Sequence, residues 1–269
     1  MIEIVHPKWE SFQLNLVEKA GDMSTFKTWE GVLDVPLYSY DELTEEYWND
    51  IQNLLKKAQD RFMWNKLLEK NESETGHSMD SWKQAQVRPY GYGPTTSMRL
   101  KSIHHILTYH VLSERFLSEY NTIVEFGAGI GETAHAVMDM GFTGRYCILD
   151  LPVVKAIAKF YLQDHKNVVF LKGFPKVDKL LPEKLGKTLF ISTWALSEVP
   201  LTYREEAANF VRDYRCDHLI LFQKEFQEIN NTSYFIDMWP FVTKSFYRIK
   251  QMHFHSSDGG NVYLVGKAT

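Results

Sequence analysis

The stretch "IVEFGAGIGETA", residues 123–134, carries the most informative pattern in the sequence. β-Branched residues lead into Glu125, and the run Gly127-Ala128-Gly129-Ile130-Gly131 follows at once. Glycine lets a backbone turn tightly beside a bulky group, and the free N–H groups at a helix N-terminus favour polar or anionic ligand groups. The stretch therefore predicts a strand, a ligand-binding turn and the start of a helix.

Short apolar runs alternate with helical segments from residue 122 onward. The strand-like runs are "TIVEF", "RYCILD", "NVVFL", "KTLFIST" and "HLILFQ", and the helical segments are "ETAHAVMDM", "PVVKAIAKFYLQ" and "YREEAANFVRDY". This alternation indicates right-handed βαβ units and a parallel sheet covered on both faces. Two last strand-like runs, "SFYRIKQMHFH" and "NVYLVGK", are joined only by "SSDGG". Such a short connection is a hairpin, so the last strand is predicted to be antiparallel.

The first part of the chain has a different pattern. A helical periodicity runs through residues 43–62, and a second amphipathic helix is predicted to begin within residues 95–97. We therefore expect a mainly helical N-terminal accessory region, residues 1–115, before an α/β domain, residues 116–269. The helical region is also the candidate surface for pairing two chains in a homodimer.

Composition and charge narrow the class of protein. The 269 residues carry a net charge of −4 and no basic tract, unlike the cationic surface of a nucleic-acid-binding protein. No signal peptide is seen, and no apolar run approaches the roughly 20 residues of a membrane helix. Cys147 and Cys216 lack metal-ligand spacing. We expect a soluble cytoplasmic protein with reduced thiols, no metal cluster and no nucleic-acid or membrane partner.

The glycine spacing discriminates between ligands. The pattern is G-x-G-x-G, whereas a dinucleotide fingerprint has its third glycine one position later, where this chain has Glu132. A carboxylate there would also face a pyrophosphate, so NAD and FAD are disfavoured without being excluded. Asp150 ends the second strand, where an acid can accept hydrogen bonds from both ribose hydroxyls. These features suit a ligand with adenosine and a cationic tail, such as S-adenosylmethionine.

A family resemblance rests on these motifs. "VEFGAGIGE" followed by "ILDLP" resembles the first two motifs of class I S-adenosylmethionine-dependent methyltransferases. "DLP" is similar to small-molecule O-methyltransferases, and "STWALSEVP" resembles bacterial sugar O-methyltransferases of surface-polysaccharide pathways. The resemblance covers about residues 85–269. It implies a Rossmann-like α/β fold, with a seven-stranded methyltransferase sheet ending in an antiparallel hairpin, and methylation of a hydroxyl on a sugar or sugar nucleotide.

The resemblance also implies which residues bind the cofactor S-adenosyl-L-methionine. The glycine turn would surround the methionine part, and Asp150 would hold the ribose. Residues after the third and fourth strands would lie near the adenine and along the other side of the cofactor. The full set is Glu125, Gly127, Ala128, Gly129, Gly131, Asp150, Leu151, Gly173, Phe174, Ser192, Thr193 and Trp194.

Methyl transfer to a hydroxyl requires an aligned acceptor and a base for its proton. Open α/β sheets bind ligands at the carboxyl ends of their strands, so bases are expected there. Glu198 follows the fourth strand, and His255 ends the sixth strand, reaching the same edge if that strand is parallel. Many plant-type O-methyltransferases carry a histidine soon after the fourth strand, whereas this chain has Thr193-Trp194.

The loop "RPYGYGPTTSMR", residues 88–99, is the candidate cover of the acceptor. Arg88, Tyr90, Tyr92 and Arg99 offer recognition of anionic groups and stacking on a sugar face.

Three other functions stay open from the sequence. One is a nicotinamide-dependent oxidoreductase, and another is a methyltransferase-fold protein that binds the cofactor or a partner without catalysis. The last is an RNA methyltransferase, which the negative charge disfavours.

Overall fold

The computed structural model describes residues 42–59, 64, 97–175, 185–226, 229–242, 247–254 and 261–268. The chain forms two compact units. One comprises residues 1–108, 129–140 and 151–163, and the other comprises residues 109–128, 141–150 and 164–269. The division into an accessory region and an α/β domain at residue 115 stays a prediction.

The first unit is helical in its described part. Its helices are α1 (Glu42–Leu55), α2 (Ser97–Ser113, which continues into the second unit), α3 (Glu132–Asp139) and α4 (Pro152–Tyr161). The start of α2 lies within the predicted range. The helical periodicity predicts a first helix through residues 43–62, but α1 ends at Leu55 and residues 56–59 are not helical, while residues 60–62 lie outside the described residues. There the carbonyl of Leu54 accepts the N–H groups of both Lys57 and Ala58, at 2.8 and 2.9 Å, which closes the last turn.

The second unit is built on a seven-stranded sheet. Its strands are β1 (Thr122–Phe126), β2 (Arg145–Leu149), β3 (Val168–Phe170), β4 (Thr188–Thr193), β5 (Asp217–Gln223), β6 (Tyr247–Phe254) and β7 (Asn261–Ala268). They lie in the order β3-β2-β1-β4-β5-β7-β6. All seven were predicted from the sequence. The near-continuous burial of β1, β4 and β5 is typical of the central strands of a parallel sheet.

The strand directions confirm the predicted fold class. β1 pairs in parallel with β2 and β4, and the outer pairs β2–β3 and β4–β5 are also parallel. β7 is antiparallel to both β5 and β6, so β6 runs in the same direction as β1–β5. The protein therefore has the predicted α/β architecture, a mostly parallel sheet with a terminal antiparallel strand pair.

Helix α5 (Leu201–Asp213) covers part of this sheet. Its Ala207, Ala208 and Val211 are fully buried, in one apolar cluster with Val124 of β1 and Phe190 of β4. Burying a large apolar side chain contributes about 1.5–3 kcal/mol, so this cluster is a main source of stability. Shorter elements complete the unit: 3₁₀ turns at Leu117–Glu119 and Ala195–Glu198, a small hairpin of Glu225–Phe226 with Ile229–Asn230, a π-helical turn at Ser233–Met238 and α6 (Trp239–Val242).

A buried network of hydrogen bonds joins the elements at the amino edge of the sheet. The Tyr109 and Tyr120 hydroxyls share a hydrogen bond, and the Tyr120 hydroxyl donates to Asp217 Oδ2 at 2.5 Å. The other carboxylate oxygen of Asp217 accepts the N–H of Ala268 at 2.6 Å. This buried network of hydrogen bonds therefore ties the end of α2, the start of β5 and the end of β7 together. It lies far from the edge where ligands are expected.

None of the helices within the described ranges combines the length and the apolar character of a membrane-spanning segment.

Candidate functional site

The glycine turn follows β1 and has the left-handed backbone that glycine favours. The φ angles of Gly127, Gly129 and Gly131 are +77°, +56° and +92°. A β-carbon built on Gly127 would lie 1.9 Å from that of Ala195 in the 3₁₀ turn after β4. Gly127 N–H donates to the Leu149 carbonyl at 2.8 Å. The turn at Gly127 is thus held closely between the ends of β2 and β4.

Gly131 serves a different purpose from Gly127. A β-carbon on Gly131 would lie 2.6 Å from Leu162 Cδ1 and 3.6 Å from Ala158 Cβ, so this glycine allows close packing at the start of α3. A dinucleotide fingerprint places such a glycine one residue later. In this chain the third glycine of G-x-G-x-G, Gly131, therefore allows the close helix packing.

The structure corrects the prediction that Glu132 would face a pyrophosphate. The Glu132 side chain is buried in the first unit, and its Oε2 accepts the hydroxyl of Tyr161 at 2.9 Å. Its carboxylate is turned inward by this bond, so repulsion of a pyrophosphate does not follow from its position. The glycine spacing, and not this charge, remains as the argument against a dinucleotide.

Glu125 is a buried acid at the end of β1. Its Oε2 accepts the hydroxyl of Tyr146 at 2.8 Å, and the side chain is 1% exposed. Burial, together with the nearby Glu125 carboxylate, raises the pKa of Tyr146 well above its ordinary value. The phenol therefore stays protonated and donates, which fixes the Glu125 carboxylate immediately before the glycine turn.

Asp150 follows β2 at the carboxyl edge of the sheet, one residue after Leu149, which accepts the Gly127 N–H. Its side chain is half-buried. Helix α4 begins at Pro152, and its N-cap is Leu151, which makes no side-chain cap hydrogen bond. Asp150 therefore precedes the cap position, and its place at the strand end suits a hydrogen-bond acceptor for a ligand.

Phe174 lies past β3 and packs against the core. Its ring is stacked on Phe126 with centroids 5.7 Å apart and lies 5.5 Å from the ring of Phe210. A β-carbon on the exposed Gly173 would have open space around it. Phe174 thus stabilises the end of β1 through stacking, and its predicted contact with adenine stays a prediction.

The turn after β4 holds a strained residue. Trp194 has φ +64° and ψ −43°, in a region that side-chain-bearing residues rarely adopt. The Trp194 N–H donates to the Leu221 carbonyl at 2.7 Å, while its carbonyl accepts the Ser197 hydroxyl at 2.6 Å. The fully buried Ser192 uses its hydroxyl to accept the Leu196 N–H at 3.1 Å. These bonds hold Trp194 in a conformation that its own backbone preference opposes.

Two polar pairs follow along the same edge. The Trp194 indole N–H donates to Asn261 Oδ1 at 3.0 Å, and Gln223 Nε2 donates to Glu198 Oε1 at 3.4 Å. Gln223 ends β5 and lies directly opposite Asn261, the first residue of β7. We call Trp194, Glu198, Gln223 and Asn261 the polar edge. It brings one carboxylate, two amides and one aromatic ring to the ends of three strands.

Glu198 is half-buried at the end of the 3₁₀ turn. The N-cap of α5 is Pro200, without a side-chain cap hydrogen bond, so Glu198 does not cap that helix. His255 lies outside the described residues. The strand before it, β6, satisfies the condition set by the sequence, because β6 runs parallel to β1–β5 and its last residue, Phe254, pairs with Asn261.

Arg99 differs from its predicted place on a loop that touches the acceptor. It lies in α2 of the first unit, is 1% exposed, and donates to Asp139 Oδ2 at 2.6 Å and to His135 Nδ1 at 3.0 Å. A guanidinium can only donate, so His135 accepts at Nδ1. Arg99 thus joins α2 to α3, and we assign it no substrate contact. Arg88, Tyr90 and Tyr92 lie outside the described residues.

The sequence reasoning missed two members of the polar edge, Gln223 and Asn261. Gln223 is the polar residue that ends the fifth apolar run, and this signal could have found it. Asn261 could be placed beside it only through the pairing of β5 with β7. Within the described residues, no cluster of three His, Cys, Asp or Glu side chains could hold a metal ion.

Comparison with known proteins gives a domain match over part of the chain. Residues 77–184 match the family model of an O-methyltransferase domain, which is less than half of the chain. Comparison with curated proteins finds no significant match. The matched segment includes the glycine turn and Asp150, which belong to the candidate site.

Solved structures resemble the chain at low sequence identity. Aeropyrum pernix fibrillarin in complex with natively bound S-adenosyl-L-methionine is 14% identical, with 67% of this chain and 81% of that chain covered and a TM-score of 0.46. Methanococcus jannaschii fibrillarin, a pre-rRNA processing protein, is 11% identical over 68% and 81%, with a TM-score of 0.47. A SAM-dependent methyltransferase from Aquifex aeolicus is 16% identical over 59% and 88%, with a TM-score of 0.42.

Proposed function

We propose that the protein is an S-adenosylmethionine-dependent O-methyltransferase that acts on a hydroxyl of a small polar acceptor. The observation that carries the proposal is the left-handed turn at Gly127, where Ala195 leaves no room for a β-carbon. This turn lies at the same sheet edge as the acid Asp150. The match of residues 77–184 to an O-methyltransferase domain supports the same conclusion.

The residues at this edge fit an adenosyl sulfonium ligand. Asp150 offers a carboxylate to the ribose hydroxyls, and the buried Glu125 contributes negative charge immediately before the turn, which suits a cationic ligand. When bound, the cofactor supplies an activated methyl group on sulfur. We retain the predicted set around it, with Gly127, Ala128, Gly129, Gly131, Leu151, Gly173, Phe174, Thr193 and Trp194 as ligand neighbours and the buried Ser192 as a support of the turn after β4.

We propose that the polar edge binds the acceptor. A carboxylate, two amides and an indole face are the groups that recognise a polyhydroxylated ring, which supports a sugar or sugar nucleotide as the acceptor. Glu198 would accept the proton of the reacting hydroxyl, and Gln223, which donates to Glu198, would orient its carboxylate. His255 remains a second candidate base, since β6 ends at the same edge.

Three further parts of the proposal concern the whole chain. Residues 1–115 would form the accessory region, and residues 116–269 the methyltransferase domain. The helical region would pair two chains in a homodimer, and the protein would act in the cytoplasm. Size-exclusion chromatography with light scattering checks the dimer, and cell fractionation checks the location.

The proposed function is tested by measuring S-adenosylhomocysteine released from S-adenosylmethionine. The acceptors are UDP-glucose, GDP-mannose, free rhamnose and, as a non-sugar control, catechol. We expect turnover with at least one sugar, and Glu198→Gln is expected to lower kcat by about 10²–10⁴-fold, the range of a lost general base. Glu205→Gln, on the exposed side of α5, is the matched control and is expected to keep the wild-type rate. Turnover with catechol alone would contradict the sugar assignment.

A further inference from the structure

Arg204 is a fully buried cation beside the polar edge. It lies in α5 with its side chain 0% exposed. Its guanidinium makes three hydrogen bonds: Nε to the Val199 carbonyl at 2.9 Å, one amino group to the Ser197 carbonyl at 2.6 Å and the other to Asn231 Oδ1 at 2.7 Å. All three of these acceptors are neutral oxygens, so the charge is held by directional bonds to dipoles.

The position of Arg204 is electrostatically unfavourable for a positive charge. It lies near the N-terminus of α5, where the helix dipole disfavours a positive charge, and it is removed from water. Burial lowers the pKa of Arg204 to about 10, which still leaves the guanidinium charged at neutral pH. The faces of Tyr234 and Phe235, 5.2 and 5.6 Å away, partly compensate as cation–π partners. A residue in conflict with its local environment is expected where function requires it.

The bonds of Arg204 reach both sides of Glu198. Ser197 and Val199, whose carbonyls it binds, are the residues immediately before and after Glu198. Asn231, held by the same guanidinium, donates to the Gln223 carbonyl at 2.9 Å. The backbones that carry Glu198 and Gln223 are therefore both tied to a single side chain.

The same bonds extend to Trp194. Ser197 N–H and hydroxyl both bond to the Trp194 carbonyl, at 2.7 and 2.6 Å, so the turn that Arg204 clamps also includes the strained Trp194. A planar fork of donors is suited to such a clamp, because it fixes several acceptors in one plane.

We propose that Arg204 is a positioning residue: from beneath the polar edge it fixes the turn from Trp194 to Val199, and thereby sets the geometry of cofactor and acceptor binding. This inference rests on the proposed function, because the turn matters for ligands only if they bind at this edge. Arg204 touches no ligand itself. It acts through the backbone of the residues that do.

The test compares S-adenosylhomocysteine affinity and thermal stability in four variants. Arg204→Met removes the donors but keeps much of the length of the side chain, and Arg204→Lys keeps the charge without the fork. Arg212→Met, on the same helix in an exposed pair with Asp213, is the control for removing an arginine. Tyr120→Phe, at the amino edge of the sheet, is the control for a loss of stability away from the site.

We expect Arg204→Met to weaken S-adenosylhomocysteine binding about tenfold or more by calorimetry at a temperature where every variant is folded. Arg204→Lys should fall between Arg204→Met and wild type, while Arg212→Met and Tyr120→Phe should bind as wild type does. If Arg204→Met does not fold, Arg204→Lys is judged by the same comparison.

Two results would overturn the role of Arg204. One is wild-type affinity in Arg204→Met. The other is a loss of affinity in Tyr120→Phe equal to that in Arg204→Met, which would show an effect of stability alone. Failure of the wild-type protein to bind S-adenosylhomocysteine is a separate result, since it would overturn the proposed function and the role of Arg204 with it.

Discussion

Gly127 and Ala195 come so close that a β-carbon on Gly127 would overlap the β-carbon of Ala195, at 1.9 Å. The two residues follow the central strands β1 and β4, which are adjacent in the sheet. Their approach joins the glycine turn to the turn that carries Trp194 and Glu198. The carboxyl edge of the sheet is therefore one packed arrangement, in which a single added methyl group would displace both turns.

Gly127→Ala is expected to damage both stability and ligand binding. The left-handed φ and the overlap with Ala195 should together lower the free energy of unfolding by about 2–4 kcal/mol. S-Adenosylhomocysteine affinity, measured by calorimetry below the unfolding temperature, should fall by more than tenfold.

Gly141→Ala is the matched control for Gly127→Ala. Gly141 has φ +86°, but a β-carbon there would have open space around it. The substitution should therefore cost only backbone strain, about 1 kcal/mol in urea unfolding, and leave ligand affinity unchanged. Equal effects of the two substitutions on affinity would show that the contact with Ala195 is irrelevant.

Asn261→Ala is expected to act on the acceptor and not on the cofactor. It removes the acceptor of the Trp194 indole N–H and one amide of the polar edge. The KM for the sugar acceptor should rise about tenfold, the effect of one lost hydrogen bond to a ligand, with a small change in kcat. Lys267→Ala, near the other end of β7, is the control. A selective loss of S-adenosylhomocysteine affinity in Asn261→Ala would instead assign Asn261 to the cofactor.

Tyr120→Phe should lower stability without affecting ligand binding. The Tyr120 hydroxyl donates to the buried Asp217 carboxylate, and losing a bond to a buried charge costs about 2 kcal/mol. Urea unfolding measures this difference. Arg212→Met, which breaks an exposed ion pair with Asp213, should cost less than about 1 kcal/mol. A larger loss of stability in the exposed-pair variant than in Tyr120→Phe would contradict a stabilising role for the buried hydrogen-bond network.

The burial of His218 is expected to make the stability of the protein depend on pH. This residue is fully buried in β5, with its ring against Gly266, and burial lowers its pKa to about 4. The unfolded chain binds the proton of His218 more strongly than the folded chain does. The contribution of the neutral His218 to the free energy of unfolding is therefore fully present above a pH of about 6.5 and is lost as the pH falls toward about 4. The free energy of unfolding changes by about 3 kcal/mol over this range. His218→Gln should flatten the dependence of the urea midpoint on pH between 7 and 4, and an unchanged slope would disprove this cause.

The sheet could be predicted from the sequence because its signals are local. β1, β2, β4 and β5 are apolar runs longer than a turn of helix and are bounded by polar or glycine residues. The hairpin of β6 and β7 followed from the short connection between two such runs. The extent of α1 was less well predicted, because the periodic pattern continues past the point where the last turn closes on Leu54.

The site was predictable only where a single segment carries it. The glycine turn and Asp150 follow their strands directly, whereas the neighbours of Glu132 and Asn261 come from distant segments. Arg204 occurs in "YREEAANFVRDY", a segment whose charges suggest an exposed face, and nothing local shows that this arginine alone is buried. The positive φ of Trp194 was equally hidden, because tryptophan carries no signal for that conformation.

Calorimetric titration with S-adenosylhomocysteine, with NADH in parallel, determines whether the edge that carries Gly127 and Asp150 binds an S-adenosyl cofactor. We predict that the wild-type protein binds S-adenosylhomocysteine and not NADH, and that Asp150→Ala lowers the affinity by at least about tenfold, as loss of a carboxylate bonded to the ribose requires. Asp164→Ala, a carboxylate outside the candidate site, should bind as wild type does. Binding of NADH alone would contradict the account.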